Sequence, residues 1–120
     1  MRWRSALPAE RRAVPRYRLD CPALLLSPQD RQCHVGRLVE LSTAAMVITT
    51  DTQMRAGDQV VAWVDLPSGC AACVASVVRY RGGGEIVLTP VTPPASFTAQ
   101  IAAECDRLAG SIVPELPQSA

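Results

Sequence analysis

Between Tyr17 and Val91, short runs of Val, Ala, Leu and Ile are cut by turn-forming clusters every 8 to 12 residues or so, and that rhythm restricts the fold more than any other feature. It predicts six strands, over residues 17–26, 33–41, 46–50, 59–66, 70–80 and 85–91. The punctuation is Ser27-Pro28-Gln29-Asp30-Arg31, the corner Ser42-Thr43-Ala44, Arg55-Ala56-Gly57-Asp58, Pro67-Ser68-Gly69 and Arg81-Gly82-Gly83-Gly84. The last of these reads as a flexible connection. No helical segment separates the strands, which argues against a parallel sheet built from βαβ units. The expected architecture is all-β, a six-stranded antiparallel barrel.

Period-two alternation assigns faces to the strands. In strand four, Val60, Ala62 and Val64 oppose Val61, Trp63 and Asp65. In strand two, Val35, Val39 and Leu41 are expected on one face, with Gly36, Leu38 and Glu40 on the other. Pro22 inside strand one requires an edge or a bulge, because it cannot donate to a ladder.

After Thr92 the period changes. Thr92 can cap a helix with Pro93 at its first position, and Gly110 is a natural stop. Phe97, Ile101, Cys105 and Leu108 form one stripe at helical spacing, to be packed across a mouth or side of the barrel. Residues 111–120 carry two prolines and read as a tail.

Charge is asymmetric although the net charge is only +1. Six of the twelve basic residues, all of them Arg, lie between Arg2 and Arg18, against the single acid Glu10. Residues 1–16 lack any sustained period and read as a mobile basic arm; residues 17–110 form the barrel with its C-terminal helix. Such a run alone is a solvated tail. Arginine, however, offers a planar fork suited to phosphate oxygens or the O6/N7 edge of guanine. Val14 before Pro15 is driven to an extended backbone, so Arg12 and Arg16 do not share a helix face.

Several classes are disfavoured. The only His is His34, and no nucleophile–base pair stands at a suggestive spacing, so an enzyme is not expected. The chain has few aromatics for base stacking, which argues against a nucleic-acid-binding barrel using the basic arm. No apolar run approaches the ~18 residues that span a bilayer, and no apolar segment follows Met1-Arg2-Trp3-Arg4. A cytoplasmic location without membrane insertion is expected. Five scattered cysteines then read as small buried hydrophobes. Cys70 and Cys73 have the spacing of half a zinc site, with only Cys33, His34 and Cys105 as further ligands; no metal is expected.

A second polar constellation lies at the strand two–three corner, Glu40-Leu41-Ser42-Thr43-Ala44-Ala45. A carboxylate and a hydroxyl two residues apart can accept from the N1–H and N2–H groups of guanine, or simply satisfy backbone N–H groups of the corner. Together with Arg12-Ala13-Val14-Pro15-Arg16, this pattern resembles the PilZ domain, the bacterial receptor module for cyclic diguanylate (c-di-GMP). That family carries RxxxR just before its barrel and [D/N]xSxxG at the second-to-third strand corner. The resemblance extends over about residues 10–108.

It implies a PilZ-like barrel with no cofactor, binding c-di-GMP through Arg11, Arg12, Arg16, Glu40, Ser42 and Ala45. Arg12 and Arg16 would bond phosphate and stack on purine, Ser42 would bond phosphate or base, and Glu40 the guanine Watson–Crick edge. Arg11, directly before the motif, implies room for two stacked ligand molecules per chain. The arm would order over the ligand and relay the signal to a protein effector. Two positions depart from the motif: Glu40 stands for Asp or Asn, and Ala45 for Gly. If position 45 requires φ > 0, its Cβ costs about 1 kcal/mol and weakens binding roughly fivefold to tenfold. The alternative implied by these departures is an adaptor that binds no nucleotide and acts through protein contacts.

Overall fold

The computed structural model describes residues 14–112, leaving aside the side chains of residues 78–82, 111 and 112. Six antiparallel strands form a closed barrel: β1 (Tyr17–Ser27), β2 (Gln32–Leu41), β3 (Met46–Thr50), β4 (Gln59–Leu66), β5 (Gly69–Gly82) and β6 (Glu85–Pro90). Their spatial order is β1-β2-β3-β6-β5-β4, and β1 pairs with β4 to close the ring. The interior is filled from every strand, with Leu25, Leu38, Ile48, Ile86 and Leu88 fully buried. Closure leaves no unpaired strand edge in the ring, so Pro22 has to be accommodated otherwise. One extra residue enters β1 between the pairs Arg18↔Glu40 and Cys21↔Leu38, and the β1–β4 ladder begins only at Ala23. Pro22 thus takes the locally edge-like position that its missing donor requires, just after the bulge.

A second bulge overturns the expected faces of β2. Leu38 pairs with Ile48 but Glu40 pairs with Val47, so β2 carries one extra residue there. The pleat reverses across it. Gly36, Leu38 and Leu41 all face the core, while Val35 points out and is 75% exposed. The glycines after Arg81 also differ from expectation. Gly82 pairs with Glu85, and Gly83 (φ 62°) and Gly84 (φ 79°) form a two-residue hairpin turn instead of a loose connection. Positive φ at both central positions gives the turn whose twist matches the flanking strands, and glycine adopts it without a Cβ penalty.

One helix, α1 (Ala95–Ile112), closes the described chain and packs against β5 and β1. Phe97, Ile101 and Cys105 form its buried stripe, as the helical spacing requires. Its ends depart from the sequence reading. The Thr98 N–H donates to the Pro94 carbonyl at 3.1 Å, so the first turn starts after Pro94 and Thr92 is not the cap. Thr92 instead sits at φ 44°, and α1 runs through Gly110. A β-branched residue in the left-handed region is strained. Thr92→Gly should therefore raise stability by about 0.5–1 kcal/mol, seen as a higher urea midpoint with an unchanged m-value.

The stripe also hides a charge. Glu104 is 1% exposed; Arg107 Nε donates to its Oε2 at 2.8 Å, and its Oε1 has no partner among the described residues. Cys70 and Cys73 point to opposite sides of β5, Cys70 exposed and Cys73 buried, so they do not converge as a ligand pair. Burial pushes the Cys73 thiol up to about 11.

Candidate functional site

The β1–β2 ladder places the first half of the site. Tyr17 pairs with Leu41 and Arg18 with Glu40, so the chain entering β1 runs directly beside the end of β2. Glu40 is largely covered, its side chain 13% exposed, and both arginines reach toward it. Arg16 Nη1 lies 3.7 Å from Oε1 and Arg18 Nη1 3.7 Å from Oε2. These separations are ion-pair contacts beyond hydrogen-bond length, and the guanidinium groups stay open to solvent. Such pairs contribute about 0–1 kcal/mol. They hold two forked cations over one carboxylate while committing little of their hydrogen-bonding capacity.

The second half is the β2–β3 corner. Ser42 is buried and its hydroxyl is fully used there. It accepts the N–H groups of Ala44 and Ala45, each at 3.0 Å, and donates to the Ala45 carbonyl at 3.3 Å. The Ser42 N–H donates to the same carbonyl at 3.0 Å. A serine at this position thus sets the corner's shape, as hydroxyl residues do in turns. Any ligand contact from Ser42 would replace one of these bonds. Ala45 is not among the residues with positive φ, so the cost foreseen for a Cβ there does not arise. Ala45→Gly should accordingly lower stability by a few tenths of a kcal/mol, read as a small drop in melting temperature.

Ser42 and Ala45 line a pocket of about 190 Å³ between the corner and α1, together with Thr89, Pro93, Phe97 and Ile101. Arg16 and Glu40 are not among the residues that line it. The structure therefore brings Arg16 together with Glu40, and Ser42 with Ala45, as adjacent halves of one barrel end. Arg11 and Arg12 lie outside the described residues. Arg18 was missed as a site residue by motif reasoning. Only the hairpin register, which sets it opposite Glu40, identifies it.

His34 is remote from this end. It pairs with Leu25 near the β1–β2 turn, its Nε2 3.3 Å from Asp30 Oδ2. Asp30 is held below the usual carboxylate range by the Gln32 N–H, with His34 adding to the effect. No group of three or more His, Cys, Asp or Glu side chains converges among the described residues.

No protein-family model matches the sequence, and no curated protein matches it significantly. Solved structures do. The PilZ domain of YcgR from Escherichia coli, solved with c-di-GMP, superposes with a TM-score of 0.70 at 13% identity, over 89% of this chain and 98% of that one. The Bacillus subtilis inhibitor of motility (MotI/DgrA) gives 0.64 at 12% identity, over 91% of this chain and 53% of that one. The PilZ domain of CeSA from a cellulose-synthesizing bacterium gives 0.59 at 12%, over 73% and 91%. The chain has a PilZ-like fold.

Proposed function

We propose that this PilZ-like barrel is a receptor domain for c-di-GMP that passes the signal to a protein effector. The observation that carries the reading is the cluster of Arg16 and Arg18 on Glu40, beside the serine-built corner. A cyclic dinucleotide presents two phosphates and two guanines. Arg16, with Arg12 and Arg11 from the preceding segment, would supply forked donors to phosphate and to guanine O6/N7, and flat faces for the purines. Glu40 would accept from guanine N1–H and N2–H once the arginines turn to the ligand. Their present contacts are weak enough for that exchange. The c-di-GMP held by the YcgR domain, which shares the fold, supports the choice of ligand.

The reading is non-enzymatic: binding rearranges a surface, and the segment of residues 1–16 is the element that would close over the ligand. A nucleotide-free adaptor drew its support from the departures at positions 40 and 45. The φ at Ala45 removes the backbone-strain part of that support, and Glu40 keeps a carboxylate facing arginine.

Isothermal titration with c-di-GMP tests the proposal, with linear diguanylate and GMP as controls. Saturable binding with Kd of about 10 µM or tighter is expected for the cyclic ligand, and at least tenfold weaker binding for the others. With Arg11 contributing, saturation should come at two ligands per chain, falling to one in Arg11→Leu. Amide exchange over residues 11–16 should slow when ligand is added. Absence of any heat up to about 1 mM would defeat the receptor reading. Equal exchange with and without ligand would defeat the closing of the segment.

A further inference from the structure

Away from the arginine cluster, the outer wall of the barrel carries an apolar face that no described element covers. It is made by the outward residues of three adjacent strands, β2, β1 and β4. In the central row Val35 pairs with Leu24 and Leu24 with Trp63. Val35 is 75% and Leu24 42% exposed, and Trp63 is partly exposed. The next row continues with Cys33, Leu26 and Val61. The third is Arg37, Pro22 and, by continuation of the β1–β4 register, Asp65. The inward alternates Gly36, Ala23, Leu25, Ala62 and Val64 already supply the core, so the outward set is surplus to folding. An aromatic flanked by aliphatics on a solvent-facing wall is the composition of an interface centre.

We propose that this face is a homodimer interface, two copies packing wall to wall about a two-fold axis that runs along β1. The pattern is self-complementary under that operation. Rotation about β1 exchanges the β2 and β4 sides, laying β2 of one copy over β4 of the other. Arg37 then meets Asp65 of the second copy, and Asp65 meets its Arg37. Leu24 meets Leu24 on the axis. Val35, the most exposed large apolar residue among those described, falls on Trp63 of the second copy, where Pro22, Leu24, Trp63, Asp65 and Cys70 line a shallow depression. A knob thus lies over a hollow, twice, with a charge pair beside each. Among the described residues Asp65 has no salt-bridge partner, while Arg37 is shared with Asp20.

The size of the face sets the strength. Three strands about 4.8 Å apart, over six residues rising about 3.3 Å each, cover roughly 300 Å². A standard interface buries about 800 Å² per partner, so the dimer belongs to the weak, reversible class. It forms without nucleotide, and its test is independent of the receptor reading.

Sedimentation velocity of the ligand-free full chain, from about 1 µM to about 1 mM, should show a monomer–dimer equilibrium with a midpoint of about 10–500 µM. Val35→Glu, at a position open enough to leave folding unaffected, should weaken it at least about tenfold, since each dimer loses two contacts. Asp65→Arg should weaken it also, by facing Arg37 with a like charge. Arg37→Asp combined with Asp65→Arg should recover dimerisation to within about threefold of the parent, because the two-fold pairing is restored. Ala103→Glu, on the exposed side of α1 away from this wall, should leave it unchanged. A monomer at every concentration would overturn the proposal. So would a dimer indifferent to Val35→Glu, or a double charge swap that melts like the parent yet fails to recover.

Discussion

Arg16→Ala is expected to abolish measurable c-di-GMP binding while the melting temperature stays within about 1–2 °C of the parent. The two outcomes separate because the side chain does little for the fold. Its guanidinium is half exposed and approaches Glu40 only to 3.7 Å, an ion pair open to solvent on the arginine side and worth about 0–1 kcal/mol. Toward a dinucleotide the same group can make two or more charge-assisted bonds, each worth about 1.5–3 kcal/mol. Losing them weakens binding by roughly two to four orders of magnitude, which takes a micromolar ligand out of range. Arg12→Ala should behave alike. Arg55→Ala, at the exposed turn before β4, is the matched control and should bind as the parent does. Wild-type affinity in Arg16→Ala would detach the ligand from this cluster altogether.

How far the sequence announces this structure depends on whether a feature is local. Six strands, the closing helix and the buried stripe of Phe97, Ile101 and Cys105 follow from periodicity, which short windows contain. The start of the β1–β4 ladder only after Pro22 follows from a missing donor. The bulge near Glu40 does not, because nothing in Leu38-Val39-Glu40-Leu41 distinguishes it from continuous alternation. It exists in the register against β3, and it decides that Val35 faces solvent while Leu41 faces the core. Gly83 and Gly84 read as looseness until β5 and β6 are paired around them; then their permissiveness becomes a tight turn. At the helix start, Thr92-Pro93 is the better local cap, yet the chain leaving β6 holds Thr92 at φ 44° and delays the first turn to Ala95. Glu104 was invisible for a related reason: a charge on an apolar stripe contradicts the pattern that locates the stripe.

The candidate site divides the same way. Arg16, Glu40 and Ser42 are legible because their spacing matches a motif, but their division of labour is not. Ser42 spends its hydroxyl on the corner, and Arg18 joins Glu40 only through cross-strand pairing.

Gly36→Ala should be among the most damaging single-methyl changes in the chain, costing about 2–3 kcal/mol and lowering the melting temperature by roughly 6–12 °C. Gly36 faces the core from β2, paired with Thr50 on one side and Ala23 on the other. A Cβ built there falls 2.6 Å from the Thr49 carbonyl oxygen and 2.9 Å from Ile48 Cγ2. The oxygen is backbone in the β2–β3 ladder, so relief requires the two strands to part; Ile48, fully buried, has nowhere to turn. Both are packing penalties in a dense interior. Gly110→Ala is the internal comparison. Its Cβ would meet nothing within 4 Å, and in a helix alanine is favoured over glycine by about 1 kcal/mol. The two variants add the same methyl and should move the melting temperature in opposite directions. If Gly36→Ala melted like the parent, β2 and β3 would have to lie farther apart than this register sets them, and Glu40, carried at the end of β2 past the bulge, would lose its fixed position opposite Arg18.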